Sequence, residues 1–123
     1  MRRTLAAVAA VLAPLTLATA CGDDDESPSG GQGSQEPKVL TVTFDGDSVS
    51  PSGERVEVST GQDIELEITA DTEGEIHVHS TPEQEIAYPA GTSTQTIEGI
   101  DQPGTVDVES HDLEKVIVQL EVK

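Results

Sequence analysis

Residues 104–123 read GTVDVESHDLEKVIVQLEVK, and their alternation decides the fold class. Val106 and Val108 alternate with Asp107 and Glu109, and Val116, Val118, Leu120 and Val122 alternate with Ile117, Gln119 and Glu121. Successive side chains of an extended strand point to opposite faces, so an apolar period of two predicts strands with one face on a core. Toward the N-terminus the same period recurs. Ile76 and Val78 alternate with His77 and His79, and Ile64, Leu66 and Ile68 with Glu65, Glu67 and Thr69. Val56 and Val58 alternate with Arg55 and Glu57, and Leu40, Val42 and Phe44 with Val39, Thr41 and Thr43. Turn residues separate the runs at Asp45-Gly46, Pro51-Ser52-Gly53, Thr60-Gly61, Glu73-Gly74, Pro89-Ala90-Gly91 and Pro103-Gly104. No window carries a long helical period. Seven or eight short strands at this spacing predict an all-β domain, a two-sheet antiparallel sandwich with Greek-key connections. Thr81–Ala90 fits either a short strand or a loop.

The chain upstream of these strands is of a different kind. Arg2 and Arg3 precede an apolar run from Leu5 to Leu17, and the small residues Ala18-Thr19-Ala20 stand directly before Cys21, the single cysteine. This is the pattern of an export signal over residues 1–20. The run is shorter than the ~20 residues a membrane-spanning helix needs. Its end resembles the bacterial lipobox, with Ala18 standing where leucine is most favoured. That resemblance implies that Cys21 becomes the first mature residue, is thioether-linked to diacylglycerol, and holds the protein on the extracytoplasmic face of the cell membrane. A lone cysteine in an exported chain has no disulfide partner, and lipid on its sulfur removes a reactive thiol. After Cys21, residues 22–37 read GDDDESPSGGQGSQEP, with no aliphatic or aromatic side chain. Nothing in that stretch can be buried to offset the entropy of ordering it. Residues 21–37 therefore read as a lipidated cysteine and a flexible acidic tether with an end-to-end distance of about 20 Å. The carboxylates of Asp23–Glu26 are expected to be solvated. Residues 38–123 suffice for one small domain.

Charge narrows the range of partners. The full chain carries 24 acidic and six basic residues, a net charge of −18, and loss of Arg2 and Arg3 with the signal takes this to −20. Such a balance excludes nucleic acid as a partner, and an anionic membrane surface would repel the domain, so attachment must come from the lipid. The core must be built of branched aliphatics, because Phe44 and Tyr88 are the only aromatic residues and there is no tryptophan. Immunoglobulin-type sandwiches pack a buried tryptophan on an inter-sheet disulfide, and both are missing here.

The order of landmarks points to another sandwich family. A strand carries His77-Val78-His79, then come Tyr88-Pro89-Ala90-Gly91-Thr92 and Gln102-Pro103-Gly104-Thr105-Val106-Asp107-Val108-Glu109-Ser110-His111, then a last strand to Val122. Over nearly all of residues 38–123 this resembles the small bacterial cupredoxin-like domains, which carry an H-x-H strand end, a P-A-G turn and a Q-P-G-x-x-x-V-E-x-H penultimate strand. The resemblance implies an eight-stranded Greek-key sandwich and copper binding or metal handling outside the cytoplasm. It also implies a metal site, whose ligands in blue-copper members are a histidine on a middle strand and then a cysteine, a histidine and often a methionine before the last strand. His77 or His79 matches the first place, Ser110 or its neighbour stands where the cysteine would be, and His111 falls in the same loop. No methionine follows Met1. Without a thiolate and a soft axial ligand, electron transfer in the blue-copper manner is not expected.

Three imidazoles remain. Residues two apart share a face of a strand, so His77 and His79 are expected side by side with Cβ atoms roughly 6–7 Å apart. In the resembling fold, the strands ending at His79 and His111 run the same way and finish at one pole, which would bring His111 to the pair. Three neutral imidazoles suit Cu(II), with Zn(II) the less favoured ion, and Glu109, Asp112 or water could complete the shell. Glu75 shares the parity of the pair and could fix a ring orientation. The other reading is that these histidines alternate with core residues and are simply solvated among carboxylates. Catalysis has no such constellation: Ser110 and His111 are neighbours on a strand and face opposite ways, and Glu83 and Glu85 carry no signal in a chain this acidic. The sequence therefore predicts a non-enzymatic, membrane-tethered Cu(II)-binding domain with a metal transporter or another extracytoplasmic protein as partner. The alternative is a metal-free structural or protein-interaction module on the cell surface.

Overall fold

The structure is a computed structural model, and it describes residues 35–123. The export signal, the lipidation of Cys21 and most of the acidic tether lie outside the described residues. All regular elements of residues 35–123 are strands: β1 (Lys38–Asp45), β2 (Ser48–Ser50), β3 (Glu54–Val58), β4 (Ile64–Ala70), β5 (Gly74–Val78), β6 (Gln84–Tyr88), β7 (Gly91–Ile97), β8 (Gly104–Ser110) and β9 (Lys115–Val122). They form a four-stranded sheet in the order β2-β1-β4-β7 and a five-stranded sheet in the order β3-β9-β8-β5-β6.

The apolar alternation puts one face of each sheet inside. Val42 and Phe44 of β1 and Ile64, Leu66 and Ile68 of β4 meet Ile76 and Val78 of β5, Val106 and Val108 of β8 and Val118, Leu120 and Val122 of β9 in one core. Phe44 and Tyr88, the two aromatics, stack across the sandwich with ring centroids 4.7 Å apart and planes 12° from parallel. Aliphatic residues fill nearly all the rest, as the shortage of aromatics requires.

The all-β two-sheet sandwich is as the alternation predicts, but five particulars differ. There are nine strands rather than seven or eight. The segment left open at Thr81–Ala90 holds β6, an edge strand paired with β5. Strand β7, sequence GTSTQTI, has no apolar alternation because it is an edge strand whose single fully buried side chain is Ile97. Nor is the sandwich purely antiparallel: β1 pairs with β4 and β3 with β9 in parallel. The chain passes between the sheets after β2, β3, β4, β6 and β7, so spatial neighbours come from distant segments and two pairs run the same way. Side-chain alternation is identical in both directions and carries no signal of this.

The fifth difference is a β-bulge. Val108 pairs with Val118 but Glu109 pairs with Val116, leaving Ile117 as an extra residue on β9. The expected parity put Ile117 on the outer face; the bulge turns it inward beside Val118, and both are fully buried. The turn from β8 to β9 then closes with Glu114 at φ 50°, in the left-handed region.

Candidate metal centre

Strand β5 sets the site. Ile76 and Val78 are wholly buried, so His77 between them projects from the outer face of the five-stranded sheet. Its cross-strand partners are Glu85 on β6 and Glu109 on β8. Glu75, two residues back on the same face, brings Oε1 to 2.7 Å from His77 Nε2. Glu85 Oε1 lies 3.9 Å from the same nitrogen, and Glu83 Oε1 lies 3.8 Å from Nδ1 on the other side of the ring. The hydrogen bond that His77 donates to Glu75 raises the His77 pKa above its ordinary value; burial opposes this, and the charges of Glu75, Glu85 and Glu83 reinforce it.

His111 reaches this cluster by backbone pairing. The β5–β8 ladder runs through Ile76 opposite Ser110, and one residue further the His111 N–H donates to the Glu75 carbonyl at 2.9 Å. The His111 ring then sits against His77 with centroids 4.6 Å apart and planes inclined by 34°. One ligand atom each from Glu75, His77 and His111 all fall within 4.8 Å of one another. A second such trio is His77, Glu83 and Glu85.

His79 stands apart. It lies just past the end of β5, where its N–H donates to the Asp107 carbonyl at 2.9 Å, and its ring centroid is 6.5 Å from that of His77. Glu109 occupies its Nε2 at 2.7 Å. The expected common direction of the two histidine-bearing strands is overturned: β5 and β8 are antiparallel neighbours. The end of β5 therefore abuts Asp107, its start abuts His111, and the imidazoles spread along one sheet face instead of meeting at a pole. Of the residues put forward from sequence, Glu75, His77 and His111 come together, while His79 and Glu109 form an adjoining pair. Asp112 turns back, its Oδ2 accepting from the Glu75 N–H at 3.4 Å. Glu83 and Glu85, given no weight in the sequence, belong to the cluster. Their signal was the parity of Glu85 with His77, legible only once β6 is paired to β5.

Ser110, in the place of a blue-copper cysteine, faces the other way. It is 1% exposed, among the core residues. Its Oγ accepts from the Leu113 N–H at 3.3 Å and contacts the Tyr88 phenol, whose pKa is raised by burial and by the charge of Asp112, with the Ser110 bond opposing. Gly74 completes this interior corner: a Cβ there would lie 2.6 Å from Asp112 Oδ2 and 2.7 Å from Tyr88 Cζ, and closer still to the phenol oxygen. The corner holds oxygen donors only, packed against each other, and does not fit a blue-copper ion. The outer cluster of two imidazoles and carboxylates does offer the donors that suit Cu(II) or Zn(II).

No protein-family model matches the chain, and no curated protein does. Solved structures do resemble it. The Cu(I) form of an amicyanin mutant superposes with a TM-score of 0.51 at 9% identity, covering 69% of this chain and 82% of that one. The blue copper oxidase from Nitrosomonas europaea gives 0.51 at 14% identity over 71% of this chain and 44% of that one. A purple cupredoxin from Nitrosopumilus maritimus gives 0.49 at 10% identity, over 70% of this chain and 99% of that one. At these identities the likeness is one of fold, and the domain formed by β1 to β9 is a cupredoxin-like β-sandwich.

Proposed function

We propose that this chain is a copper-handling protein, held on the extracytoplasmic face of the membrane by lipid on Cys21, whose domain binds Cu(II) through His77, His111 and Glu75. The observation that carries the reading is the approach of those three ligand atoms to within 4.8 Å on an open sheet face. The donor chemistry favours Cu(II) over Zn(II) by the ordinary affinity order of divalent ions. A net charge of −20 once Arg2 and Arg3 leave with the signal raises the local concentration of cations, and Glu83 and Glu85 add negative charge beside His77. His79 with Glu109 flanks the site as a pair that a second or migrating ion could occupy. In this reading the protein is a carrier, buffer or accessory and not an enzyme, and its partner is a metal transporter or another extracytoplasmic protein.

A second reading, a metal-free interaction module, is favoured by one feature: His77 and His79 each already have a carboxylate oxygen at 2.7 Å, which satisfies an imidazole without any ion. A Cu(II) titration of the full chain carrying Cys21→Ser in detergent micelles separates the two. The first predicts nitrogen hyperfine coupling in the electron paramagnetic resonance spectrum, lost in His77→Ala/His111→Ala. It also predicts a rise in melting temperature with excess copper, because a ligand that binds only the folded state must stabilise it. An unchanged melting temperature and no coupled nitrogen would leave the second.

A further inference from the structure

We propose, resting on the reading that Glu75, His77 and His111 take copper, that this site selects by oxidation state: it holds the divalent ion and releases it on one-electron reduction. The donors around His77 are imidazole nitrogen and carboxylate oxygen throughout, from Glu75 at 2.7 Å to Glu83 and Glu85 at 3.8 and 3.9 Å. Hard and borderline donors of this kind suit Cu(II) and Zn(II), whereas Cu(I) is selected by thiolate and thioether sulfur. The chain has one cysteine and one methionine, Cys21 and Met1, and neither lies in the nine strands. The inward position that could have carried a thiolate is Ser110, which lies on the opposite face of the sheet and is 1% exposed.

Geometry adds to the donor argument. A monovalent ion held by two imidazoles alone needs them opposed across it, but His77 and His111 lie side by side, centroids 4.6 Å apart and planes inclined by 34°. The Glu75 carboxylate in the trio gains less from a monovalent than from a divalent ion, since the attraction scales with the charge. The site is also open: the His77 side chain is 20% exposed and that of Glu75 39%, so a soluble reductant can approach. On reduction, the ion accepts one electron from a reductant such as ascorbate, and no bond within the chain breaks. Ascorbate becomes its one-electron radical and gives up a proton; the ring nitrogens and the Glu75 carboxylate leave the ion, His77 takes up that proton through solvent, and the His77–Glu75 hydrogen bond reforms.

The test is equilibrium dialysis of the full chain carrying Cys21→Ser, in detergent micelles, against Cu(II) or Zn(II), each with and without ascorbate under argon. Chloride keeps free Cu(I) in solution. The expected result is about one copper retained per chain without ascorbate and at least tenfold less with it, while zinc, which ascorbate does not reduce, is retained equally in both. Copper retained in both conditions would overturn the oxidation-state selection while leaving the copper site standing. Zinc lost along with copper would overturn it too, since the loss would then stem from ascorbate itself. Copper lost in both conditions, or retained without ascorbate by His77→Ala/His111→Ala, would show that the copper-site reading itself has failed.

Discussion

Gly74→Ala tests the packing that closes the interior corner beneath the histidines. Gly74 pairs with Tyr88 across β5 and β6, and a Cβ there would meet Asp112 Oδ2 at 2.6 Å and Tyr88 Cζ at 2.7 Å. Asp112 is exposed and can swing away, but Tyr88 is 5% exposed and stacked on Phe44 at 4.7 Å, so its ring has nowhere to go. Overpacking of this kind costs about 1–3 kcal/mol. Loss of glycine entropy in the unfolded chain returns roughly 0.4–1 kcal/mol. The net is a destabilisation of about 1–2 kcal/mol, or a fall in melting temperature of roughly 5–15 °C for a domain of this size. Urea titration followed by fluorescence is a clean assay, because the chain has one tyrosine and no tryptophan and Tyr88 reports its own surroundings. A double-mutant cycle with Tyr88→Phe, with all four proteins followed by far-ultraviolet circular dichroism because that background has no tyrosine, isolates the contact: removing the hydroxyl takes away the nearest obstacle, so Gly74→Ala should cost less in that background, with a coupling of at least about 0.5 kcal/mol. A Gly74→Ala variant within about 0.5 kcal/mol of the parent, or equal costs in both backgrounds, would show that the phenol does not need the space the glycine leaves.

Ile76→Ala, which empties a fully buried site directly beneath the sheet face carrying His77, should cost about 2–5 kcal/mol by denaturant titration. A smaller loss would mean that the core collapses around the gap. The Tyr88 phenol, with its pKa raised mainly by burial, should ionise above pH 10 by ultraviolet absorbance. Its neutral form is the one the fold favours, so its contribution to stability is complete below pH 10 and is lost as pH rises through the folded-state value; ionisation at the free-tyrosine value would contradict this. By NMR, His77 of the metal-free chain should titrate above 6.5 and move down in Glu75→Gln, because the hydrogen bond to Glu75 is the main cause of the shift. The sign for stability follows: the His77 contribution is complete below pH 6.5 and disappears as pH rises through the folded-state midpoint, and an unmoved midpoint in Glu75→Gln would remove the proposed cause. Metal requires the unprotonated ring, so Cu(II) affinity should weaken as pH falls through that midpoint, and a pH-independent affinity would point to ligands other than these imidazoles.

Strand parity was legible from the residues alone. Ile64, Leu66 and Ile68, Ile76 and Val78, and Val106 and Val108 alternate with polar neighbours, and each face is as the alternation says, because a strand turns its side chains by a fixed local rule. The pairing of His77 with Glu75 was readable for the same reason, two residues apart on one strand. Strand β7 was not, because Thr and Ser on an edge strand leave no apolar trace, and Ile117 was misplaced because a bulge inserts one residue by reference to its partner strand. The direction and order of the strands, and with them the approach of His111 to His77 and of Glu85 to the same ring, belong to the tertiary structure. Those contacts join segments separated by turns and crossings between sheets, and which edge meets which is settled by burying the whole core at once, a quantity no local window of residues contains.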